Sequence, residues 1–281
     1  MSLPLGTSPA NEALYSSNRE RSPLLRLPPE LRERIWQYTL GGKVLHIGRK
    51  GQFPYGTAYA YECKAVDDEQ RMLDNGGPGG VTVPRPTPPF FARHSHCETS
   101  HALNWGLHLP VCLLRTCRLI YQDASLLPFT ENTFLFTDIH PHAALICFLR
   151  GLKPEQTHAI QRMIVMCSRS NSGPQEPAEP NFIAKSLTGL RDLTYTVEYN
   201  DYEAALCFSE DLRRERKRLA ADVLVFEGLA LKVVHVSVGL CYTRRVLAGL
   251  SHGASDLVNL SVVAREWKAG VVKQLMDEAT T

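Results

Sequence analysis

Net charge is the first thing this chain lacks. Its 31 Lys and Arg are balanced by 29 Asp and Glu, a formal +2 over 281 residues. A surface so nearly neutral does not suit a protein whose work is neutralising phosphates along a duplex, so nucleic acid is not an expected partner. Long apolar runs are missing too. The most apolar stretch, 223–240, is broken by Glu227, Lys232 and His235, which excludes a spanning helix of about twenty continuous apolar residues, and no membrane partner is expected. Residues 1–22 hold no apolar run behind a basic start, position 2 is Ser rather than Gly, and no Cys stands four from the end. Neither a secretory signal nor a lipid anchor is expected, and the predicted location is intracellular, in the cytoplasm or nucleus. The eight cysteines, at 63, 97, 112, 117, 147, 167, 207 and 241, form no C-x-x-C pair. They read as buried thiols, with a zinc site or a few disulfides as the alternative. What is present, 44% hydrophobic and 21% charged residues, is the composition of an ordinary globular chain. Its length suits one large domain, or a small module followed by a larger one.

Catalytic motifs are also scarce. Residues 249–253 (GLSHG) match the G-x-S-x-G pattern around Ser251, whose strained turn would expose a nucleophile above a sheet. No histidine follows His252, so the triad cannot be completed in its usual order, and the segment reads as a Gly-rich turn. His94, His96, Cys97 and His101 lie close together, with His108 nearby. On a helix Cys97 and His101 would share a face, and both are zinc-ligand types. Nothing at a recognised spacing supplies a second ligand pair, so surface histidines and no metal are expected. The basic run 213–218 (RRERKR) could be a nuclear signal or nucleic-acid patch. It falls instead on the back of a helix whose apolar stripe is Phe208, Leu212, Leu219, Val223 and Phe226, and reads as a solvated face. Residues 67–69 (DDE) read as a surface run, and no Walker-type or dinucleotide glycine pattern is present. No catalytic residue and no cofactor are expected.

Along the chain, 1–22 read as a flexible polar arm. Pro28, Pro29 and Glu30 then suit a helix start, Leu31, Ile35, Tyr38 and Thr39 recur at helical spacing, and Gly41-Gly42 supplies a left-handed stop. Residues 43–47 and 57–63 alternate like two strands of an inserted β-hairpin. The segment 74–89, with five Pro and four Gly, reads as a loop. A continuous helix is predicted over 109–127, between Pro110 and Pro128. Strand-like runs follow from Thr133, Met163, Leu193 and Leu231. Helical segments at 142–152, 182–190 and 208–229 come between them, a loop spans 168–180, and a closing helix is expected over 255–279. This alternation predicts parallel strands covered by helices, either a leucine-rich-repeat-like solenoid or an open α/β sheet. The expected class is α+β to α/β, divided into 1–22, a helical unit with inserted strands over 23–130, and an α/β repeat-like domain over 131–281.

Residues 24–36 (LLRLPPELRERIW) resemble the opening of an F-box. Residues 113–127 (LLRTCRLIYQDASLL), followed by 130–136 (TENTFLF), are similar to the second signature of a large fungal family of F-box-like proteins of undefined activity. The resemblance implies that the leading helices dock on the small adaptor bridging to a cullin ubiquitin ligase, while a C-terminal repeat region holds the protein to be ubiquitinated. Carried over, Leu27, Pro28, Leu31 and Ile35 would form the adaptor face, with Trp36 as aromatic anchor. The chain departs from the pattern in the insertion between Gly41 and Val111, which leaves open a reading in which Leu31, Ile35 and Trp36 only pack as core. The expected function is a non-enzymatic protein-interaction protein, its partners the ligase adaptor and a substrate protein. The alternatives are a binding module of the same fold without a ubiquitin link, and a metal-dependent or serine hydrolase.

Overall fold

The computed structural model describes residues 9–51, 56–63, 97, 110–137, 141–169, 179–200, 224–226 and 229–241. Two prolines start the helix α2 (Pro29–Leu40), which follows α1 (Pro9–Arg21). Pro29 lacks only an N–H that has no partner in a first turn, and Glu30 faces the positive end of the helix dipole. The stop is divided between two glycines. Gly41 is extended and its N–H donates to the Gln37 carbonyl, whereas Gly42 takes the left-handed φ of 71°. At Gly41 a Cβ would lie 2.6 Å from the Glu131 Cβ, so the chain passes there too closely for any side chain.

Strands β1 (Val44–Lys50) and β2 (Thr57–Glu62) form the antiparallel hairpin. They join β3 (Thr133–Phe136), β4 (Arg162–Arg169), β5 (Asp192–Asn200) and β6 (Val233–Cys241) in one mixed sheet of order β2-β1-β3-β4-β5-β6. From β1 onward every neighbouring pair is parallel, and each new strand is laid down on the same side of the last. Right-handed crossovers in a sheet that always grows one way put the connecting helices on one face. A doubly wound sheet reverses direction between parallel crossovers and opens a ligand crevice at the reversal. Here the change of direction at β1 is made by the antiparallel β1–β2 hairpin, and the described parallel strands β1-β3-β4-β5-β6 follow one another in a single direction.

Register assembles the core. Leu45, Phe134, Met163 and Leu193 align in one row and Ile47, Phe136, Val165 and Tyr195 in the next. All eight are buried, against α5 (Pro141–Arg150), α7 (Pro180–Ser186) and a 3₁₀ turn at Leu224–Phe226. Each such side chain withdrawn from water contributes about 1.5–3 kcal/mol. Phe148 of α5 meets Phe134 and Phe136 with ring centroids 5.2 and 5.9 Å apart. Residues 141–149 are buried without interruption, the mark of a helix enclosed on all sides. On the opposite sheet face the aligned row His46, Leu135, Ile164, Thr194 and His235 grades from buried through half-buried to exposed.

The helical unit is fastened to this sheet by Asn132, which is 0% exposed. Its Oδ1 accepts from the Lys43 N–H at 2.8 Å, and its Nδ2 donates to the carbonyls of Leu40 and Pro128 at 2.6 and 3.0 Å. The amide orientation is determined by chemistry, since an N–H needs the oxygen and two carbonyls need the nitrogen. One side chain thus closes the end of α2, the start of β1 and the turn before β3.

Several expectations change. Residues 9–21, read as part of a flexible arm, form α1; Pro9 opens it, Glu12 lies in its first turn and Arg19 and Arg21 in its last, complementing both ends of the dipole. The continuous helix expected over 109–127 is broken into a 3₁₀ turn (Val111–Arg115), α3 (Arg118–Ala124) and α4 (Leu127–Thr130). The Thr116 hydroxyl donates to the Leu113 carbonyl at 2.7 Å and Cys117 is extended, so a local side-chain bond ends the first turn and a new helix begins. Pro128 sits in the first turn of α4 and does not terminate α3. A helix α6 (Pro154–Ala159) lies where none was predicted. Strands from both sides of residue 130 share the one sheet. Cys63, Cys97, Cys147 and Cys167 are buried, Cys117 is half-buried and Cys112 is exposed. Among the described residues no helix is long and apolar enough to cross a membrane. The loop expected over 74–89, most of the helix over 208–229 and the closing helix over 255–279 lie outside the described residues.

Candidate functional site

Helix α2 brings the two sequence signatures together. Leu25, Trp36 and Leu40 pack with Ile120 and Ala124 of α3, with Ile35, Leu113, Leu114 and Leu127 around them. Arg32 ties the arrangement. Its Nε donates to Asp123 Oδ2 of α3 at 3.0 Å, and its Nη1 donates to the Leu25 and Leu27 carbonyls at 3.1 and 3.2 Å. The segment before α2 is therefore held by a charge-assisted network while its last residues remain at the surface.

The five residues carried over from the F-box resemblance divide by exposure. Pro28 is exposed, Leu31 is 46% exposed, and Leu27 and Ile35 are half-buried. Trp36, expected as an aromatic anchor, is 1% exposed and packs inside the α2–α3 core. Leu31, Ile35 and Tyr38 recur at i, i+4 and i+7 and share one face of the helix; Trp36 lies on another, and that is the face on which α3 packs. Tyr38, 87% exposed, is the outward aromatic that sequence reasoning placed on the helix but not in the site. Leu27 and Pro28 also line an open groove of about 910 Å³ between α1 and the start of α2, where Arg19, Glu20 and Arg26 supply charge.

A second constellation lies on the first residues of β1 and the end of the hairpin. His46 pairs with Tyr61 across the hairpin and stacks on its ring at 4.8 Å and 5°. The Cys63 N–H donates to the Val44 carbonyl at 2.8 Å, continuing the hairpin register so that Cys63 falls on the same face as His46. Cys97 completes the group: the ligand atoms of His46, Cys63 and Cys97 lie within 4.8 Å of one another, all three residues buried. The two Sγ atoms are 4.0 Å apart. Of the histidine-rich segment at 94–101, Cys97 alone is among the described residues. His46 and Cys63 went unrecognised because a lone His in an alternating strand and a lone Cys after one carry no ligand spacing. Ser251, the basic run 213–218 and the acidic run 67–69 lie outside the described residues.

A family model described as Domain of unknown function (DUF7730) matches residues 17–174, more than half of the chain. The match takes in both halves of the split signature, the hairpin, His46, Cys63 and Cys97, and the sheet through β4. No curated protein and no solved structure shows significant similarity to the chain.

Proposed function

The chain belongs to the DUF7730 family, and from that premise we propose that it is a non-enzymatic, F-box-like protein-interaction protein acting in the cytoplasm or nucleus, a substrate receptor or scaffold for a cullin-type ubiquitin ligase. One observation supports the reading above others. The segments that resemble an F-box, although separated by an insertion, pack as one unit through Trp36, Ile120, Ala124 and the Arg32–Asp123 ion pair. In this reading Leu27, Pro28, Leu31 and Ile35 form the adaptor face, extended by Tyr38. Trp36 is withdrawn from that face and acts in folding.

The test is binding of the recombinant adaptor to the full chain. Leu31→Asp and Tyr38→Asp are expected to weaken binding at least tenfold, a loss of about 1.4 kcal/mol or more, while leaving the melting temperature close to wild type. A wild-type chain that fails to bind the adaptor overturns the ligase role. The interior position of Trp36 favours a second reading, a binding module of the same fold without a ubiquitin link. Under that reading Leu31→Asp abolishes capture of another protein and adaptor binding is absent throughout.

A further inference from the structure

From the geometry at the hairpin end of the sheet we infer that His46, Cys63 and Cys97 bind a zinc-class divalent ion that staples the β1–β2 hairpin to the segment carrying Cys97. The distances suit a shared metal. Zn–S bonds of about 2.3 Å and Zn–N bonds of about 2.0–2.1 Å in a tetrahedron place two sulfurs about 3.8 Å apart and a sulfur and a nitrogen about 3.6 Å apart. The Sγ–Sγ separation is 4.0 Å and all three ligand atoms lie within 4.8 Å of one another. A disulfide would require about 2.05 Å, close to half the separation seen.

The chemistry balances as well. Binding breaks two S–H bonds, forms two Zn–S bonds and releases two protons to solvent, while the imidazole coordinates as the neutral ring. Two thiolates cancel the charge of the ion, so the occupied site is neutral. That matters where His46, Cys63 and Cys97 are 0%, 5% and 3% exposed, because a net charge there would be costly to bury.

Two of the three ligands are also preorganised. β1 is laddered on both sides, to β2 and to β3, and the ring of Tyr61 lies flat on His46. Cys63 is placed by its backbone bond to Val44. Cys97 lies 34 residues beyond Cys63, so a metal bridge closes a long segment that would otherwise cost entropy to order.

The experiment uses the full chain, purified without a histidine tag under reducing conditions. Zinc by elemental analysis is expected at about one equivalent. Replacement by cobalt(II) is expected to produce thiolate-to-cobalt charge-transfer bands with the intense visible bands of a tetrahedral site. Cys63→Ser, Cys97→Ser and His46→Ala should each lower metal affinity by about tenfold or more, while Cys112→Ser, at an exposed cysteine, should retain the full equivalent. Should the ligand variants fail to fold, the cobalt spectrum of the wild-type chain decides alone. Absence of charge-transfer bands on adding cobalt(II) to the reduced, zinc-stripped protein overturns the assignment. So does a Cys63–Cys97 disulfide found by mass spectrometry in protein purified without reductant, or metal kept equally by wild type and the three ligand variants.

Discussion

Replacing Asn132 is expected to do more damage than any substitution of its size elsewhere in the described fold. Asn132→Ala removes three hydrogen bonds at once and leaves the Lys43 N–H and the carbonyls of Leu40 and Pro128 facing the space it vacates. At about 1 kcal/mol net for each bond, rising toward about 3 kcal/mol for a buried group left unmatched, the expected loss is about 3–5 kcal/mol. That is a large share of the roughly 5–15 kcal/mol that holds a domain together. Urea unfolding followed by tryptophan fluorescence is the assay, with Trp36 reporting from the neighbouring helical core. For a urea dependence of about 3 kcal/mol per molar, the midpoint should fall by about 1–1.7 M. Asn132→Asp makes the argument sharper. It keeps the acceptor for Lys43 but loses both donors and turns a carboxylate toward two carbonyl oxygens, so burial and repulsion raise its folded pKa above the unfolded value of about 3.9. A raised carboxyl pKa means that stability is greatest at low pH and is lost as pH rises through the folded pKa. The Asp variant should therefore lie closer to wild type at acid pH than at neutrality. An Asn132→Ala loss below about 1 kcal/mol, or an Asn132→Asp deficit that does not change with pH, would refute the reasoning.

Other substitutions test the remaining joints. A Cβ at Gly189 would lie 1.9 Å from the His158 carbonyl oxygen, backbone that cannot swing aside, so Gly189→Ala should cost at least about 2 kcal/mol by thermal unfolding. At Gly151 the nearest atom is 3.4 Å away, and Gly151→Ala should stay within about 1 kcal/mol of wild type. Arg32→Ala, which loses Asp123 and two carbonyls together, should cost about 2–3 kcal/mol against about 1 for Asp123→Ala; a double-mutant cycle measures the share belonging to the ion pair. Trp36→Ala should lose about 3–5 kcal/mol, whereas Leu31→Asp on the open face should change stability by less than about 1 kcal/mol. Equal losses at the two positions would contradict the division between core and surface drawn along α2.

Local chemistry made much of the fold legible in the residues alone. The start of α2 at a proline pair, its stop at Gly41-Gly42, the hairpin and the onset of each later strand all follow from interactions within a few positions of the chain. Short-range conflicts were harder to read: Thr116 ends a helical turn that apolar periodicity alone would have continued through Cys117. What periodicity cannot supply is which groups meet across the fold. Trp36 and Tyr38 stand two residues apart on one helix, and only the packing of α3 against α2 makes the first interior and the second outward. Asn132 reads as one more polar residue in a signature until β1, α2 and β3 converge on it. His46 and Cys63 share a face because the hairpin register aligns His46 with Tyr61, and Cys97 reaches them from 34 residues further on. Periodicity and turn chemistry act between near neighbours and are written in order along the chain. Register and packing act between distant ones, so the interior tryptophan, the asparagine joint and the His-Cys-Cys group exist only once the chain has closed on itself.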